Sequence, residues 1–271
     1  MRVIVISGGT DGMGRATLEA RIRRGDEVVA IGSNPAKGRA VRALSGRVHF
    51  LRADLRSVAQ TRRVIDTIRG RWPRVDALAL FANRQSPRRV VTDEGLEQTF
   101  ALYYLSRHLL SHGLRDQLDA AERPVIVNVA GVGTTRGSIH WDDLQLTRKY
   151  GMVDAQLQAG RANDLLGVDF AQRSGSRARY VLYHPGFTRS GDLSTMPPVV
   201  RGVIRAASVV ARPVEKSIRP VVEWIDDPPA DALTASDRGR PVPLSATTLD
   251  PAAARRLGTV TDALLTRLHA G

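Results

Sequence analysis

The chain lacks cysteine altogether, and it has few lysines, few aromatic residues and no long apolar run. Without cysteine, disulfides, thiolate metal sites and cysteine nucleophiles are excluded. A membrane-spanning helix needs about 18 or more consecutive apolar residues, which the sequence does not contain. The first residues read as a strand rather than as a secretory signal. We therefore expect a cytoplasmic protein with no membrane span and no metal site built on thiolates.

The 271 residues carry a formal net charge of +13, with 40 basic residues against 27 acidic ones. Only Lys37, Lys149 and Lys216 are lysines, so nearly all of the positive charge is arginine, as a GC-rich coding sequence would produce. The arginines are scattered, and only 5% of the residues are aromatic, so basic patches with stacking rings are missing. We expect no nucleic-acid partner, and the charge favours attraction of an anionic small molecule.

Short apolar segments alternate with helical patterns along the chain. The segments that indicate strands are 3–6, 27–31, 48–51, 76–81, 125–129 and 179–183, and the clearest helical patterns are 15–24, the stretch after Ser57, and 94–114. Strands that are apolar throughout, rather than alternating, are typical of a parallel sheet covered on both faces.

This alternation predicts an α/β fold. We expect one Rossmann-type domain over residues 1–271, with a doubly wound parallel sheet of about seven strands and helices on both faces. The segment 190–218 mixes glycine, proline and a helical pattern, which indicates a small helical lid over the strand ends.

A glycine-rich turn follows the first predicted strand and precedes the first predicted helix. Its glycines have the spacing G-x-x-x-G-x-G. Glycine allows a tight turn and a close approach of the backbone to a ligand, and the N-terminus of a helix attracts phosphate. The residues of this turn that we predict to bind a dinucleotide are Gly8, Thr10, Asp11, Gly12, Met13 and Gly14.

The end of the second strand distinguishes between the two nicotinamide cofactors. An acidic residue there would bind the ribose hydroxyl of NAD, but Gly32 is followed by Ser33 and Asn34. Lys37 and Arg39 come shortly afterwards. We therefore predict NADP(H), with Ser33, Asn34 and Lys37 around its 2′-phosphate. The alternative is that both basic residues are solvated charges on a helix.

These motifs resemble the short-chain dehydrogenase/reductase family, and most closely its retinol dehydrogenase and protochlorophyllide reductase branch. The turn Ser7–Gly14 matches the family's T-G-x-x-x-G-x-G, with serine in place of threonine. Trp141–Gln145 resembles the segment before the catalytic helix, and His184–Thr188 resembles the branch's H-P-G turn. The resemblance implies a Rossmann fold and hydride chemistry with a nicotinamide cofactor.

The resemblance also assigns further residues to the cofactor. They are Asp54 and Leu55 at the adenine, Ala82 and Asn83 in the place of the family's N-N-A-G, and Pro185, Gly186 and Thr188 at the nicotinamide end. In the N-N-A-G segment only the alanine matches. Family members often form a homodimer or homotetramer through their two long helices, so Tyr103 and Tyr104 are expected on that face.

The family's catalytic Asn, Ser, Tyr and Lys do not carry over. Their positions fall on Tyr103, Ala130, Gln156 and Gly160. In the family the tyrosine protonates the carbonyl oxygen, and the lysine lowers the pKa of that tyrosine. An amide such as Gln156 can donate a hydrogen bond but cannot deliver a proton near neutral pH. We therefore predict that Gln156 orients the substrate.

Three functions are compatible with these residues. The preferred one is an NADPH-dependent reductase that acts on a ketone of a bulky hydrophobic substrate, such as a polycyclic polyketide, with the proton taken from water or from the substrate itself. The second is non-redox catalysis, a cyclisation or dehydration in a repurposed pocket. The third is a non-catalytic NADP-binding sensor, or a partner of another enzyme.

Overall fold

An eight-stranded sheet forms the centre of the protein, which a computed structural model describes for residues 1–186 and 213–270. The strands are β1 (Val3–Ser7), β2 (Glu27–Gly32), β3 (Val48–Arg52), β4 (Ala77–Leu80), β5 (Val125–Val129), β6 (Arg179–His184), β7 (Leu233–Asp237) and β8 (Arg240–Pro241). They stand in the order β3-β2-β1-β4-β5-β6-β7-β8, and every neighbouring pair is parallel except β7 with β8. The predicted doubly wound parallel sheet is confirmed.

Helices cover both faces of this sheet. They are α1 (Gly12–Arg23), α2 (Pro35–Arg42), α3 (Val58–Arg71), α4 (Ser106–Gly113), α5 (Arg115–Asp119), α6 (Met152–Arg173), α7 (Val214–Asp226) and α8 (Pro251–Ala270). A π-helical segment, Phe100–Leu105, leads directly into α4. The side chains of Asp11, Asn34 and Ser57 cap α1, α2 and α3, as these residue types commonly do. Among the helices described, none is both long enough and apolar enough to cross a membrane.

The core consists of two apolar layers, one on each face of the sheet. Successive side chains of a strand point to opposite faces. Val5 and Ile126 therefore pack with α3, α4, α6 and α8, whereas Ile4 and Val127 pack with α1, α2 and α7. This explains why the central strands are largely apolar on both faces. Because β1 to β7 are parallel, their carboxyl ends lie at one edge of the sheet.

The helix predicted over 94–114 begins later than its apolar pattern indicates. An isolated bridge between Val91 and Glu97 closes a turn before it. The Glu97 carboxylate, which is 1% exposed, accepts hydrogen bonds from the backbone N–H groups of Thr99 and Phe100, both at 2.8 Å. A buried acid thus satisfies the free N–H groups where the helix starts.

The lid predicted over 190–218 stays a prediction. Residues 190–212 lie outside the described residues, but 214–218 form the first turns of α7. Ile218 packs against Ala20 of α1, and the hydroxyl of Tyr183 donates to the carbonyl of Ser217 at 3.0 Å. This end of the segment is therefore part of the helical layer over β6 and α1.

Tyr103 and Tyr104, expected on the helical face through which family members associate, are buried within the chain instead. They are 7% and 1% exposed. Helix α8 packs across α4 and α6, and the Tyr104 hydroxyl lies 2.7 Å from Oγ1 of Thr261 on α8. The guanidinium of Arg256 stacks on Trp141, 4.1 Å from the ring centroid. Self-association through this face would require α8 to move away.

We predict that α8 contributes directly to the stability of the fold. Leu257 of α8 is 1% exposed and belongs to the larger apolar layer. The substitution Leu257→Ala should lower the free energy of unfolding by about 2–5 kcal/mol, since it leaves a cavity. Urea denaturation measures this change. Thr266→Ala, at an exposed position of the same helix, is the control and should change it by less than about 0.5 kcal/mol. Equal effects of the two substitutions would show that α8 is not packed as described.

Candidate cofactor and active site

The glycine turn lies at the carboxyl edge of the sheet, where the strand order reverses between β1 and β4. Gly8 and Gly12 have φ angles of +72° and +50°, a conformation that favours glycine. A Cβ atom on Gly14 would collide with the carbonyl group of Gly8, so the start of α1 lies directly against the end of β1. The N-terminus of α1 therefore opens onto this edge, which is where open α/β sheets bind phosphate groups.

The other predicted residues of the turn support its shape. The Thr10 hydroxyl packs on Gly32, where a Cβ atom would be only 2.8 Å away. The Asp11 carboxylate accepts a hydrogen bond from the N–H of Gly12 at 2.8 Å. Met13 packs its side chain against the apolar layer beneath α1. Because Gly8 and Gly12 have no side chains, a ligand can approach the backbone of the turn closely. The shape of the turn therefore fits the pyrophosphate of a dinucleotide.

The predicted 2′-phosphate corner contains an ion pair. The Asn34 side chain accepts hydrogen bonds from the N–H groups of Ala36 and Lys37 at 2.9 and 3.1 Å, which caps α2. The Lys37 ammonium group lies 2.5 Å from a carboxylate oxygen of Asp11. Ser33 and Asn34 are exposed beside this pair. A phosphate bound here would compete with Asp11 for Lys37.

At the predicted adenine end, Asp54 is held by its neighbours. Its N–H donates to Oε1 of Gln60 at 2.9 Å, and its carboxylate pairs with the Arg56 guanidinium at 2.6 Å. Partial burial alone would raise the pKa of Asp54, but the hydrogen bonds and charge of Arg56 outweigh it and hold that pKa below its ordinary value. Leu55 is 5% exposed. Asp54 therefore stays ionised, and Leu55 contributes mainly to the core.

A buried arginine that the sequence analysis missed lies under the centre of the site. Arg107 of α4 is 0% exposed and donates to the carbonyls of Ala82 and Val129 at 3.0 and 2.9 Å, and to the amide oxygen of Asn128. Burial lowers its pKa to about 10, so it remains a cation at neutral pH. In the described part of the chain, all its hydrogen-bond acceptors are neutral. The one sequence signal was its place four residues after Tyr103 on an otherwise apolar helical face.

The structure brings two predicted residues together above this arginine. Nδ2 of Asn83 donates to Oε1 of Gln156 at 3.0 Å. The Gln156 amide nitrogen lies 3.4 Å from both the side-chain oxygen of Asn83 and the carbonyl of Arg84. One turn further along α6, the space around a Cβ atom on Gly160 is open to 4 Å. Helix α6 contains no tyrosine and no lysine.

The H-P-G turn follows β6 at the same edge of the sheet. Gly186 has a φ of +80°, and a Cβ atom there would meet the Arg238 side chain at 3.0 Å. Nδ1 of His184 lies 2.8 Å from a carboxylate oxygen of Asp237 on β7. Pro185 is buried, and Thr188 lies outside the described residues. The turn is thus fixed by β7 beside the predicted nicotinamide end.

A buried ion pair, Arg161 with Asp164, lies on α6 beside the loop that follows β5. The Arg161 guanidinium donates to the carbonyls of Thr134 and Gly137 at 3.0 and 3.3 Å, and it lies 3.2 Å from Asp164. Burial raises the pKa of Asp164 to about 7, and Arg161 opposes that rise. Arg161 thus anchors the loop after β5 onto α6.

The conformation at Gly12 gives a direct test of the predicted cofactor site. Gly12→Val should abolish dinucleotide binding, because a branched side chain would stand where the phosphates approach the backbone. Calorimetric titration with NADPH measures this. Gly25→Val is the matched control, since Gly25 also has a positive φ, +84°, but lies in open space at the far end of α1. The control should show similar strain and unchanged affinity. Unchanged affinity in a folded Gly12→Val protein would refute the site.

Comparison with known proteins agrees with this geometry. The chain matches the family model described as short chain dehydrogenase over residues 2–143. It is 29% identical over 269 residues to a protein of Streptomyces sp. (strain C5) named "Putative daunorubicin C-13 ketoreductase DnrU", covering 94% of this chain and 90% of that protein. It is 29% identical to human polyprenol dehydrogenase and 27% identical to mouse retinol dehydrogenase 13, covering 58% and 70% of this chain. The matches span only 51% and 59% of those two proteins.

Solved structures share the fold. An uncharacterised protein from Mycobacterium paratuberculosis superimposes with a TM-score of 0.78 at 21% identity, covering 97% of this chain and 93% of that one. A short chain dehydrogenase from Shigella flexneri 2a, complexed with NADP, superimposes with a TM-score of 0.64 at 17% identity, covering 88% and 96% of the two chains. With the family model matched over more than half of its length, this chain belongs to the short-chain dehydrogenase family.

Proposed function

We propose that this protein is an NADPH-dependent reductase of a ketone carried by a bulky hydrophobic substrate. The observation that supports this most is the convergence of the glycine turn, the Asn83–Gln156 pair and the H-P-G turn at one edge of the sheet. The Streptomyces relative, whose name specifies a ketoreductase, aligns with 94% of the chain. We further propose that residues 1–271 form one domain that acts in the cytoplasm.

The proposed substrate class rests on the named relatives of this chain. The named substrates of the matched proteins, daunorubicin, polyprenol and retinol, are all large molecules with extensive apolar surface. The relative that matches nearly the whole chain acts, by its name, on a polycyclic polyketide. We therefore propose a ketone on a polycyclic aromatic framework as the substrate of this protein.

The cofactor-binding roles follow from the positions of the residues. The backbone at Gly8 and Gly12 and the N-terminus of α1 would hold the pyrophosphate, while Ser33, Asn34 and Lys37 would surround the 2′-phosphate. When bound, NADPH supplies a hydride and leaves as NADP⁺. The protein contributes alignment and exclusion of water, which together lower the barrier to transfer.

Gln156 is proposed to orient the carbonyl group of the substrate. Its amide nitrogen makes only long contacts, at 3.4 Å, so this N–H group can turn to a substrate oxygen at little cost. A hydrogen bond to the developing negative charge on that oxygen stabilises the transition state. Because an amide does not release a proton near neutral pH, Gln156 is not the acid of the reaction.

We predict that the parent protein binds NADPH more tightly than NADH and that Ser33→Asp narrows this preference. The added carboxylate would repel the 2′-phosphate and accept a hydrogen bond from the ribose hydroxyl of NADH. Calorimetry should show that Ser33→Asp binds NADPH about tenfold or more weakly than the parent protein, which corresponds to a loss of about 1.4 kcal/mol in binding free energy. Ser45→Asp, before β3 at the opposite edge of the sheet, is the control with the same charge change. Equal affinity of the parent protein for both cofactors would refute the assignment.

We predict that the purified protein oxidises NADPH when it is given a polycyclic aromatic ketone, with daunorubicin as the first compound to test. Loss of NADPH absorbance and formation of the alcohol, followed by mass spectrometry, should agree mole for mole. A changed product without loss of NADPH would indicate non-redox catalysis instead. Tight NADPH binding with no product from any polycyclic aromatic ketone tested would favour a non-catalytic NADP-binding sensor.

A further inference from the structure

Tyr103 lies among the small residues that surround the open part of the site. Its ring packs against Ala130, which directly follows β5, and Ala159, which precedes Gly160 on α6. This three-residue cluster is separate from the two main apolar layers. Because Ala130 and Ala159 are small and Gly160 has no side chain, the ring has room to reach between the strand end and α6.

The hydroxyl of Tyr103 has no hydrogen-bond partner among the described residues. Other titratable side chains near the site do have one. The Tyr150 hydroxyl donates to the carbonyl of Ser86 at 2.8 Å, His184 pairs with Asp237, and Asp164 pairs with Arg161. A buried phenol normally satisfies its O–H group. The unpaired phenol is therefore available for a group that enters the site.

Arg107 provides the charge that a phenol needs in order to lose a proton. Its guanidinium carbon lies 4.7 Å from the centroid of the Tyr103 ring, one helical turn away on the same helix. The hydrogen-bond acceptors of Arg107 are neutral, so a negative charge on its neighbour would be stabilised in this dry interior. Burial raises the pKa of Tyr103; Arg107 lowers it, and Asp164 on α6 adds to the rise.

We infer that Tyr103 is the general acid of the proposed reduction and that Arg107 stabilises its phenolate. The inference rests on the proposed reductase function and replaces water or substrate as the proton source. Helix α6 contains neither a tyrosine nor a lysine. In this proposal a tyrosine and a cation four residues apart, Tyr103 and Arg107, lie instead on the π-helical segment and on α4.

The proton and electrons balance in a single reduction. The carbonyl carbon gains the hydride that the nicotinamide cofactor supplies, and the O–H bond of Tyr103 breaks as its proton bonds to the carbonyl oxygen. The ketone becomes an alcohol, and the phenolate remains beside Arg107. Water then returns a proton to the phenolate. An alkoxide is far more basic than a phenolate, so the transfer is favourable even from a phenol with a raised pKa.

Tyr103→Phe is the first test, and Tyr104→Phe is its matched control. The first substitution keeps the ring and its packing but removes the acid, so kcat for ketone reduction should fall by about 10²–10⁴-fold while NADPH affinity stays unchanged. Tyr104 bonds to Thr261 under α8, away from the site, so its substitution should leave kcat unchanged. Gln156→Ala removes only an orienting hydrogen bond, and the pH profile of kcat should keep the same basic limb.

Difluorotyrosine at position 103 provides a second test that does not remove any atom needed for folding. Fluorine makes the phenol more acidic, so the basic limb of the kcat profile should move to lower pH. Fluorine NMR of the same protein, without cofactor or substrate, follows the ionisation of this residue directly. Arg107→Met should raise the pKa measured in this way, because it removes the neighbouring cation.

The outcomes separate this inference from the function on which it rests. If the parent protein reduces ketones and Tyr103→Phe retains its kcat, or the fluorinated protein keeps an unshifted profile, Tyr103 is not the acid and the reductase function stands. If the parent protein reduces no ketone with NADPH, both are wrong. An unchanged fluorine titration in Arg107→Met would refute the role of Arg107.

Discussion

The buried guanidinium of Arg107 holds together the edge of the sheet on which the site is built. It ties α4 to the end of β5 through the carbonyl of Val129, and to the residues after β4 through the carbonyl of Ala82. It also reaches the side chain of Asn128, which in turn donates to Asn163 on α6 and to the Tyr180 hydroxyl on β6. Removing an acceptor from such a buried cation is costly in folding free energy. The network therefore holds α4, α6, β6, the end of β5 and the residues after β4 in a fixed arrangement.

This network divides the site into two unequal halves. On one side, the glycine turn and α1 form the edge that we propose to bind phosphate, and its shape depends on the backbone conformation at Gly8 and Gly12. On the other side, the neutral amide of Gln156 and the open space at Gly160 leave the reacting end without a tyrosine or a lysine on α6. The half with the glycine turn thus resembles the family, and the proposed chemistry of the other half depends on what α4 and the end of β5 contribute.

Much of the fold was predictable because its cause is local in the sequence. Continuous apolar runs located β1 to β6 but not β7 and β8, which are short or partly polar. Positive φ angles at Gly8 and Gly12 agree with a turn inferred from glycine spacing alone. The missing parts depend on contacts between distant residues. An arginine is rarely buried, so its place on an otherwise apolar helical face was too weak a signal to predict that Arg107 would lie under the sheet edge. Likewise, the cap by Glu97 and the cover of α8 over Tyr104 arise only after the chain has folded.

The central claim is that this site transfers a hydride from NADPH to a ketone, and isotope labelling tests it most directly. The ketone is incubated with the protein and NADPH that carries deuterium at the transferable position of its nicotinamide ring. The account predicts an alcohol with a single deuterium on the former carbonyl carbon, in one stereochemical configuration, because the site would hold the ketone with one of its faces toward the nicotinamide. A product formed without deuterium at that carbon would contradict it.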